Sequence, residues 1–372
     1  MEKDMLDTAI VGGGLSGLAL ANGLQQQGRT FALYEARDRL GGRILTQHDG
    51  DTALDMGPAW FWPKTQPRMA RMVAALGLTA FPQYDQGQVL RLHDPEKVPE
   101  VYSTDGIHQG AQRLAGGMSR LVRALAAKLP DHTVHLAHEL IAVVKQHNHV
   151  ELHFRSADGI TQILARRVVL TVPPRVLEET VRFDPPLDEA LHQRMRATQT
   201  WMANQAKVLV AFPHPFWRAA GLAGNAFVEH EQAMLYETFD ACDAAGERAA
   251  LGGFIALTPE LRASFQTGMP LLIESQLVQL FGSEADQGVQ HIQDWANEPY
   301  TCSALDRVPS AVRPLYDDAL LRRSFWDATL YFGGSETAGY AAGYLEGALE
   351  ASERVVYLLT HQPDEVRALF TY

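Results

Sequence analysis

The residues whose types and spacing most directly prescribe chemistry are Gly12-Gly13-Gly14-Leu15-Ser16-Gly17 and Glu35, 23 positions beyond the first glycine. A G-x-G-x-x-G turn between a strand and a helix brings backbone against a pyrophosphate. Gly12 permits the turn, Gly14 the close approach, and Gly17 tight packing of helix on strand. The helix start at Leu15 and Ser16 offers free N–H groups and partial positive charge to phosphate. A carboxylate at Glu35 accepts both hydroxyls of a ribose and repels a 2′-phosphate, which argues against NADP. The competing reading is a structural turn with a surface glutamate. The loop by itself does not separate FAD from NAD.

These residues need particular elements to position them, and the surrounding pattern provides them. A short apolar run over 6–11 ends in the glycines. Helical periodicity follows through Leu15, Leu18, Ala19 and Leu24 and stops at Gly28, and 31–34 reads as a second strand ending at Glu35. Helices are expected over 66–76 and 118–129, closed by Gly77 and Pro130. A strand-rich stretch follows around 134–136, 150–154 and 168–172, and 147–149 reads as an exposed hairpin tip. Strands over 207–212, 251–256 and 330–332 and helices over 271–280 and 341–359 complete the pattern. The fold class is α/β, with no repeat and no polar linker, so a second domain is expected as insertions into the first.

Composition narrows the class. The chain has 372 residues, 46% hydrophobic and 20% charged, values of an ordinary folded protein. Its formal charge of −12, with no Lys/Arg cluster, excludes a nucleic-acid partner. Two cysteines, Cys242 and Cys302, make no disulfide framework and point to a cytoplasmic, reducing setting. No signal peptide and no membrane anchor are expected. His132, His135 and His138 recur every third residue. On strands that spacing scatters the rings over both faces, so no metal is expected.

Beyond the loop, Glu35-Ala36-Arg37-Asp38-Arg39-Leu40-Gly41-Gly42-Arg43 resembles the second glycine motif of the flavin monoamine oxidase family. The resemblance implies that Ala36, Arg37, Gly42 and Arg43 lie along an FAD, with Arg43 a fixed-charge fork for phosphate oxygens. Asp55-Met56-Gly57-Pro58-Ala59-Trp60 is similar to the segment beside the flavin ring, which implies contacts from Gly57, Pro58 and Ala59. Gly116-Gly117-Met118 resembles the family's return to the FAD domain, and 134–141 the strand pair at adenine, with Leu140 at the contact. Lys207-Val208-Leu209-Val210 followed by Pro215-Phe216-Trp217 is similar to the strand whose lysine reaches flavin N5 through a water. Trp295 and Tyr300 resemble a pair packing on the ring. The sets Gly333-Gly334-Ser335-Glu336-Thr337 and Gly343-Tyr344-Leu345-Glu346-Gly347 resemble the closing motif at the pyrimidine edge.

The resemblance implies a Rossmann-like FAD-binding domain of glutathione-reductase type with an interleaved α+β substrate domain. The first is expected at 1–65, 112–175 and 320–372, the second at 66–111 and 176–319. It implies oxidation of a small-molecule amine by hydride transfer to FAD, with molecular oxygen as acceptor and an imine, then a carbonyl compound and peroxide, as products. Lys207, Tyr344 and Trp60 are the expected catalytic residues.

Departures from the family pattern accompany it. Pro58 stands where a small donor-bearing residue is usual. Ala304 stands where some members bond covalently to flavin, with Cys302 two residues away, so FAD is expected to be non-covalent. Leu305 replaces one tyrosine of a two-tyrosine cage, leaving Tyr344 with Trp60 as its partner, and 82–116 is short for a substrate lid.

Each assignment has a plainer counterpart. Lys207 reads equally as a snorkelling strand-edge lysine, and Trp60 and Trp295 as core aromatics. The competing functions are an FAD-dependent C–C desaturase and a flavin-binding protein without turnover.

Overall fold

The computed structural model describes residues 5–308 and 319–361. The parts of the expected domains at 1–4, 309–318 and 362–372 lie outside the described residues. The chain divides into two compact units, Met1–Arg43 with Leu121–Trp201 and Pro299–Tyr372, and Ile44–Arg120 with Met202–Glu298.

In the first unit, strand Leu6–Val11 pairs in parallel with Phe31–Tyr34 on one side and with the long strand Gly159–Leu170 on the other. Leu330–Phe332 extends the parallel run beyond Gly159–Leu170, and Val134–His135 extends it beyond Phe31–Tyr34. These strands are buried nearly throughout, so they read as continuous apolar runs rather than alternating ones. The other half of Gly159–Leu170 turns into an antiparallel meander with Val150–Ser156 and Glu139–Lys145, and Arg182–Asp184 closes that edge. Helix Leu15–Gln26 packs against the C-terminal helix Leu345–Thr360, where Gly23 leaves room for Val356.

The second unit is built on a seven-stranded sheet. Its order is Val289–Asp294, Ala206–Phe212, Ala249–Ile255, Leu235–Asp240, Leu222–Val228, Gln88–Leu92 and Glu100–Tyr102. Helix Met269–Phe281 covers its core through Ile273, Leu277 and Leu280. On the opposite side, Leu54 and Met56 pack on Leu209, Phe239 and Ala250. Phe239 lies flat where Gly252 has no side chain; a Cβ there would fall 2.1 Å from its ring.

Two features correct the sequence reading. The unit limits fall at 43/44, 120/121, 201/202 and 298/299 rather than at 65/66, 111/112, 175/176 and 319/320. Residues 44–65 go with the second unit because hairpin Thr46–Asp49 and Thr52–Asp55 lies against its sheet. Residues 176–201 go with the first because Arg182–Asp184 joins its meander and Leu191 and Met195 enter its core. The second correction concerns the histidines. His135 and His138 do not scatter: their rings flank Tyr34 at 4.7 and 5.9 Å and stand 5.8 Å from each other. Ala137 between them has φ 55°, and that left-handed residue breaks the alternation of the strand. Among the described residues no group of three or more His, Cys, Asp or Glu is placed to hold a metal.

Candidate flavin and amine site

The glycine loop joins the first strand to helix Leu15–Gln26. Gly12, at φ 108°, turns the chain out of the first strand. A Cβ on Gly17 would fall 1.9 Å from the Gly12 carbonyl oxygen, so helix and strand approach only because position 17 is glycine. Gly14 is different. A Cβ there would meet no neighbour closer than 4.0 Å, the nearest being Gly41 O and Gly42 Cα. The space in front of Gly14 is therefore left open by the protein, and the second glycine motif borders it: Gly41 N–H donates to Gly13 O at 2.8 Å. Helix Leu15–Gln26 begins at this opening with no side-chain cap and no acidic residue in its first turn. Its first N–H groups and the dipole are free to meet an anion.

Glu35 is buried at the end of its strand. One carboxylate oxygen accepts Gly13 N–H at 2.6 Å and the other Arg37 N–H at 2.9 Å. A carboxylate has about four acceptor positions, so each oxygen keeps capacity for a ribose hydroxyl. Arg37 donates to Thr301 Oγ1 at 3.0 Å and lies over the Tyr300 ring at 5.3 Å. Ser16 turns its hydroxyl to the carbonyls of Gly333 and Ala348, tying the loop helix to the C-terminal motif. Arg43 donates to Ser335 Oγ at 2.8 Å and lies 2.7 Å from Glu336 Oε1, and Ser335 donates to Glu336 Oε2. The far glycine motif and the near one are thus fastened together in one unit. Gly343, at φ 82°, precedes Tyr344, the uncapped N-cap of helix Leu345–Thr360. Tyr344 packs on Trp201 at 5.9 Å, a neighbour that no motif marks in the sequence. Ala36 flanks Glu35 at the surface of the unit. Leu140 is buried in the sheet core with Val143 and Phe154, and a Cβ on Gly334 would fall 3.3 Å from the Thr171 carbonyl oxygen.

An open glycine-walled cleft, an uncapped helix start, a buried acid with spare acceptor capacity and a bordering arginine fit a dinucleotide such as FAD.

In the second unit, Lys207 is 3% exposed at the start of strand Ala206–Phe212. Its ammonium donates to Asp55 O at 2.7 Å and to Gly57 O at 2.9 Å. Those two bonds leave one of its three N–H donors. The rings of Phe239, Phe254 and Trp60 surround it at 5.2, 5.7 and 5.8 Å. Burial pushes Lys207 down to about 7; the Asp55 charge works against that shift and Arg113 adds to it. The strand-edge reading of Lys207 does not describe such a position. Asp55 itself is buried, accepting Thr46 Oγ1–H at 2.6 Å and Met118 N–H at 2.8 Å, and burial raises its carboxyl above the usual range. Thr46 and the start of helix Ser119–Ala126 thereby anchor the segment whose carbonyls hold Lys207.

Trp60 is fixed by its N–H, which donates to Gln83 Oε1 at 2.8 Å, and by stacking on His108 at 4.4 Å. Trp295 donates to Met56 O at 3.0 Å and is buried, as is Ala59. Pro58, between Gly57 and Ala59, has no N–H to offer. The sequence reading missed Asp55's side chain, Gln83, His108 and Trp201. Gln83 and His108 stand in irregular chain where no periodicity marks them. Asp55 was legible as a carboxylate beside a glycine turn.

A glycine-walled cleft that fits a dinucleotide and, in the other unit, a buried, aromatic-lined lysine point to a class: a cofactor-dependent oxidoreductase. The model of the family described as flavin containing amine oxidoreductase matches residues 15–105 and 96–359. The chain belongs to that family; it is an enzyme, its cofactor is FAD, and its reaction is the oxidation of an amine. It is 23% identical to amine oxidase [flavin-containing] B of Canis lupus familiaris and 24% to that of Homo sapiens, each over 95% of this chain and 86% of the relative. Among solved structures it is similar to wild-type putrescine oxidase bound to putrescine, with a TM-score of 0.79 and 22% identity over 95% and 99% of the two chains. It is also similar to cyclohexylamine oxidase from Brevibacterium oxydans IH-35A, with a TM-score of 0.75 and 18% identity over 98% and 100%. Among the described residues no helix is long and apolar enough to cross a membrane.

Proposed function

We propose that this enzyme oxidises a small amine at the carbon beside nitrogen and uses molecular oxygen as acceptor, releasing an imine that hydrolyses to a carbonyl product, with hydrogen peroxide. Bound FAD supplies the acceptance of the hydride and its delivery to oxygen. The observation that carries the reading is Lys207: buried among aromatic rings, held by two backbone carbonyls, with one donor left over. Its role is to hold a water and to place positive charge where reduction makes the site more negative, a contribution that grows in a dry environment. Trp60 is proposed to present its ring face to the amine. Trp60 is preorganised for this by Gln83, whose own N–H₂ donates to Asp240 O at 2.7 Å.

The flavin is proposed to be held without a covalent bond. Ala304, at the position that bonds covalently in some members, is an exposed residue opening the short helix Ala304–Arg307. Glu35 is proposed to take the ribose and the Gly14 opening the pyrophosphate. Both cysteines are buried and neither is in a disulfide, which supports a reducing, cytoplasmic setting.

The test is anaerobic mixing of the purified yellow protein with a panel of amines, followed by admission of air. Bleaching of the flavin by an amine and formation of peroxide are expected. Failure of every amine to bleach a protein that carries FAD would move the reading to C–C dehydrogenation.

A further inference from the structure

In the second unit, Asp55 is 2% exposed and bonded through both its backbone and its side chain. Its carbonyl accepts Lys207 Nζ–H at 2.7 Å, while its carboxylate is locked by the chain around it. Oδ1 accepts both Thr46 Oγ1–H at 2.6 Å and Met118 N–H at 2.8 Å. The Thr46 hydroxyl in turn accepts Ser119 N–H at 2.9 Å, and Ser119 Oγ accepts Thr46 N–H at 2.9 Å. Gly117, at φ 84°, lets these groups converge: a Cβ there would fall 2.8 Å from Thr46 Oγ1 and 3.0 Å from Asp55 Oδ1. Oδ2 is buried as well and has no hydrogen-bond partner among the described residues. A buried carboxylate with one oxygen unpaired is costly unless positive charge stands near it. Two buried cations do, Arg113 and Lys207. Arg113 directs its terminal nitrogens to the carbonyls of Cys242 and Ala241, at 2.6 and 3.1 Å, and its Nε has no partner among the described residues. One buried anion thus serves two buried cations.

We propose that Asp55 is a positioning residue for the reaction: its carbonyl keeps Lys207 in place, and its carboxylate charge keeps Lys207 an ammonium. This rests on the reading of Lys207 as the cation of the oxidation site. The ammonium lies among three aromatic rings, where solvation is poor and the charged form is disfavoured. Arg113 disfavours it further; Asp55 is the larger of the two charges that oppose this, Glu237 the smaller. These three are the charged groups facing Lys207: Asp55 from strand Thr52–Asp55, Arg113 from strand Gln112–Leu114 and Glu237 from strand Leu235–Asp240. The strands paired with its own place Phe254 and Gln293 opposite it, both uncharged. Without the Asp55 charge, Lys207 faces Arg113 with only the partly exposed Glu237 in compensation, and its proton leaves at lower pH.

The test follows the Lys207 Cε signal by NMR against pH in the FAD-loaded protein. Wild type is expected to titrate at about 7. Asp55→Asn keeps an acceptor oxygen for Thr46 and Met118 but loses the charge, so its midpoint is expected about 1–3 pH units lower. Thr46→Val keeps the charge and removes one tether, and its midpoint is expected to stay near that of wild type. Equal midpoints in wild type and Asp55→Asn, or the same displacement in both variants, overturn the proposal. A second measurement needs no variant. The carboxyl carbon of Asp55 in wild type is expected to show a step at the pH where Lys207 titrates. A carboxyl signal flat through that pH overturns the proposal even where Asp55→Asn does not fold. In stopped flow, air reoxidation of the reduced flavin is expected to slow roughly tenfold as pH rises past the Lys207 midpoint, and to do so at lower pH in Asp55→Asn. Reoxidation indifferent to pH in both proteins, while the NMR midpoints separate, overturns the reading of Lys207 instead.

Discussion

At the scale of single residues, Lys207 makes two measurable statements. Its folded value near 7 lies well below the roughly 10.4 of a lysine in the unfolded chain. Between these values the unfolded chain binds more protons, so folding stability rises as pH climbs from about 7 to about 10, and the penalty is fully present below 7. Lys207→Met removes that titration while its stem still fills the aromatic pocket. It also orphans the carbonyls of Asp55 and Gly57, a loss that does not vary with pH. Calorimetry of the flavin-loaded proteins should show the variant gaining on wild type as pH falls from 10 to 7, by an amount on the order of a few kcal/mol. A difference constant across that range would mean that Lys207 keeps an ordinary lysine pKa in the fold and carries its charge without penalty. In the same variant, reoxidation of reduced flavin by air should slow tenfold or more in stopped flow, with anaerobic reduction affected less.

Glu35 is the second residue-scale case. Its carboxylate serves the loop as well as the expected ribose, holding Gly13 and Arg37 N–H groups. Glu35→Ala should therefore weaken FAD retention at least tenfold and also cost about 1–3 kcal/mol of apoprotein stability, because two donors in a buried turn lose their acceptor. Glu35→Gln keeps an acceptor oxygen and should recover part of the stability but little of the affinity. Equal FAD occupancy in dilute wild type and Glu35→Ala would remove the ribose assignment.

Among the elements, the glycine turn separates folding from binding. Gly17→Ala places a methyl 1.9 Å from a backbone carbonyl that cannot move without parting helix from strand. Overpacking of this kind costs about 1–3 kcal/mol or more, and a lowered Tm is expected even without flavin. Gly14→Ala meets only Gly41 O and Gly42 Cα, each at 4.0 Å, an ordinary van der Waals distance, and keeps an ordinary φ of −75°. Its apoprotein should melt near wild type while FAD binding falls sharply, since the methyl occupies the space proposed for phosphate. A Gly14→Ala protein with normal flavin content would show that the cleft is not a phosphate seat.

The same scale shows what the sequence disclosed. Strands Leu6–Val11, Phe31–Tyr34 and Leu330–Phe332 are short apolar runs bounded by glycines or charged residues, and their limits were legible from that punctuation. Strand Leu222–Val228 was not. Its Gly224 and Asn225 have poor strand propensity, and it forms because its neighbours bury it. The cleft residues were readable because turn chemistry is local. His108 and Gln83 meet on Trp60 only through pairing of distant strands, which no local pattern carries. His135 and His138 meet because of a single left-handed alanine, invisible to a rule of alternation.

For the molecule as a whole, the cofactor's attachment is open to a direct test. Precipitation with acid or heat should leave intact FAD in the supernatant, because the exposed Ala304 offers no sulfur. Cys242 is no substitute: burial, with Asp240 adding, pushes its thiol up to about 12, so it carries no nucleophilic thiolate at neutral pH. Flavin retained in the pellet would refute non-covalent binding.

The pairing of Leu330–Phe332 with Gly159–Leu170, and of the first helix with Leu345–Thr360, has a consequence for synthesis. The glycine turn leaves the ribosome well before its fastenings, Gly333 and Ala348 on Ser16 and Ser335 on Arg43. Until those residues have emerged, the nascent chain holds a glycine loop with no closing half. Capture of flavin then waits for them, and a chain stopped short of residue 333 should emerge colourless whatever the supply of cofactor.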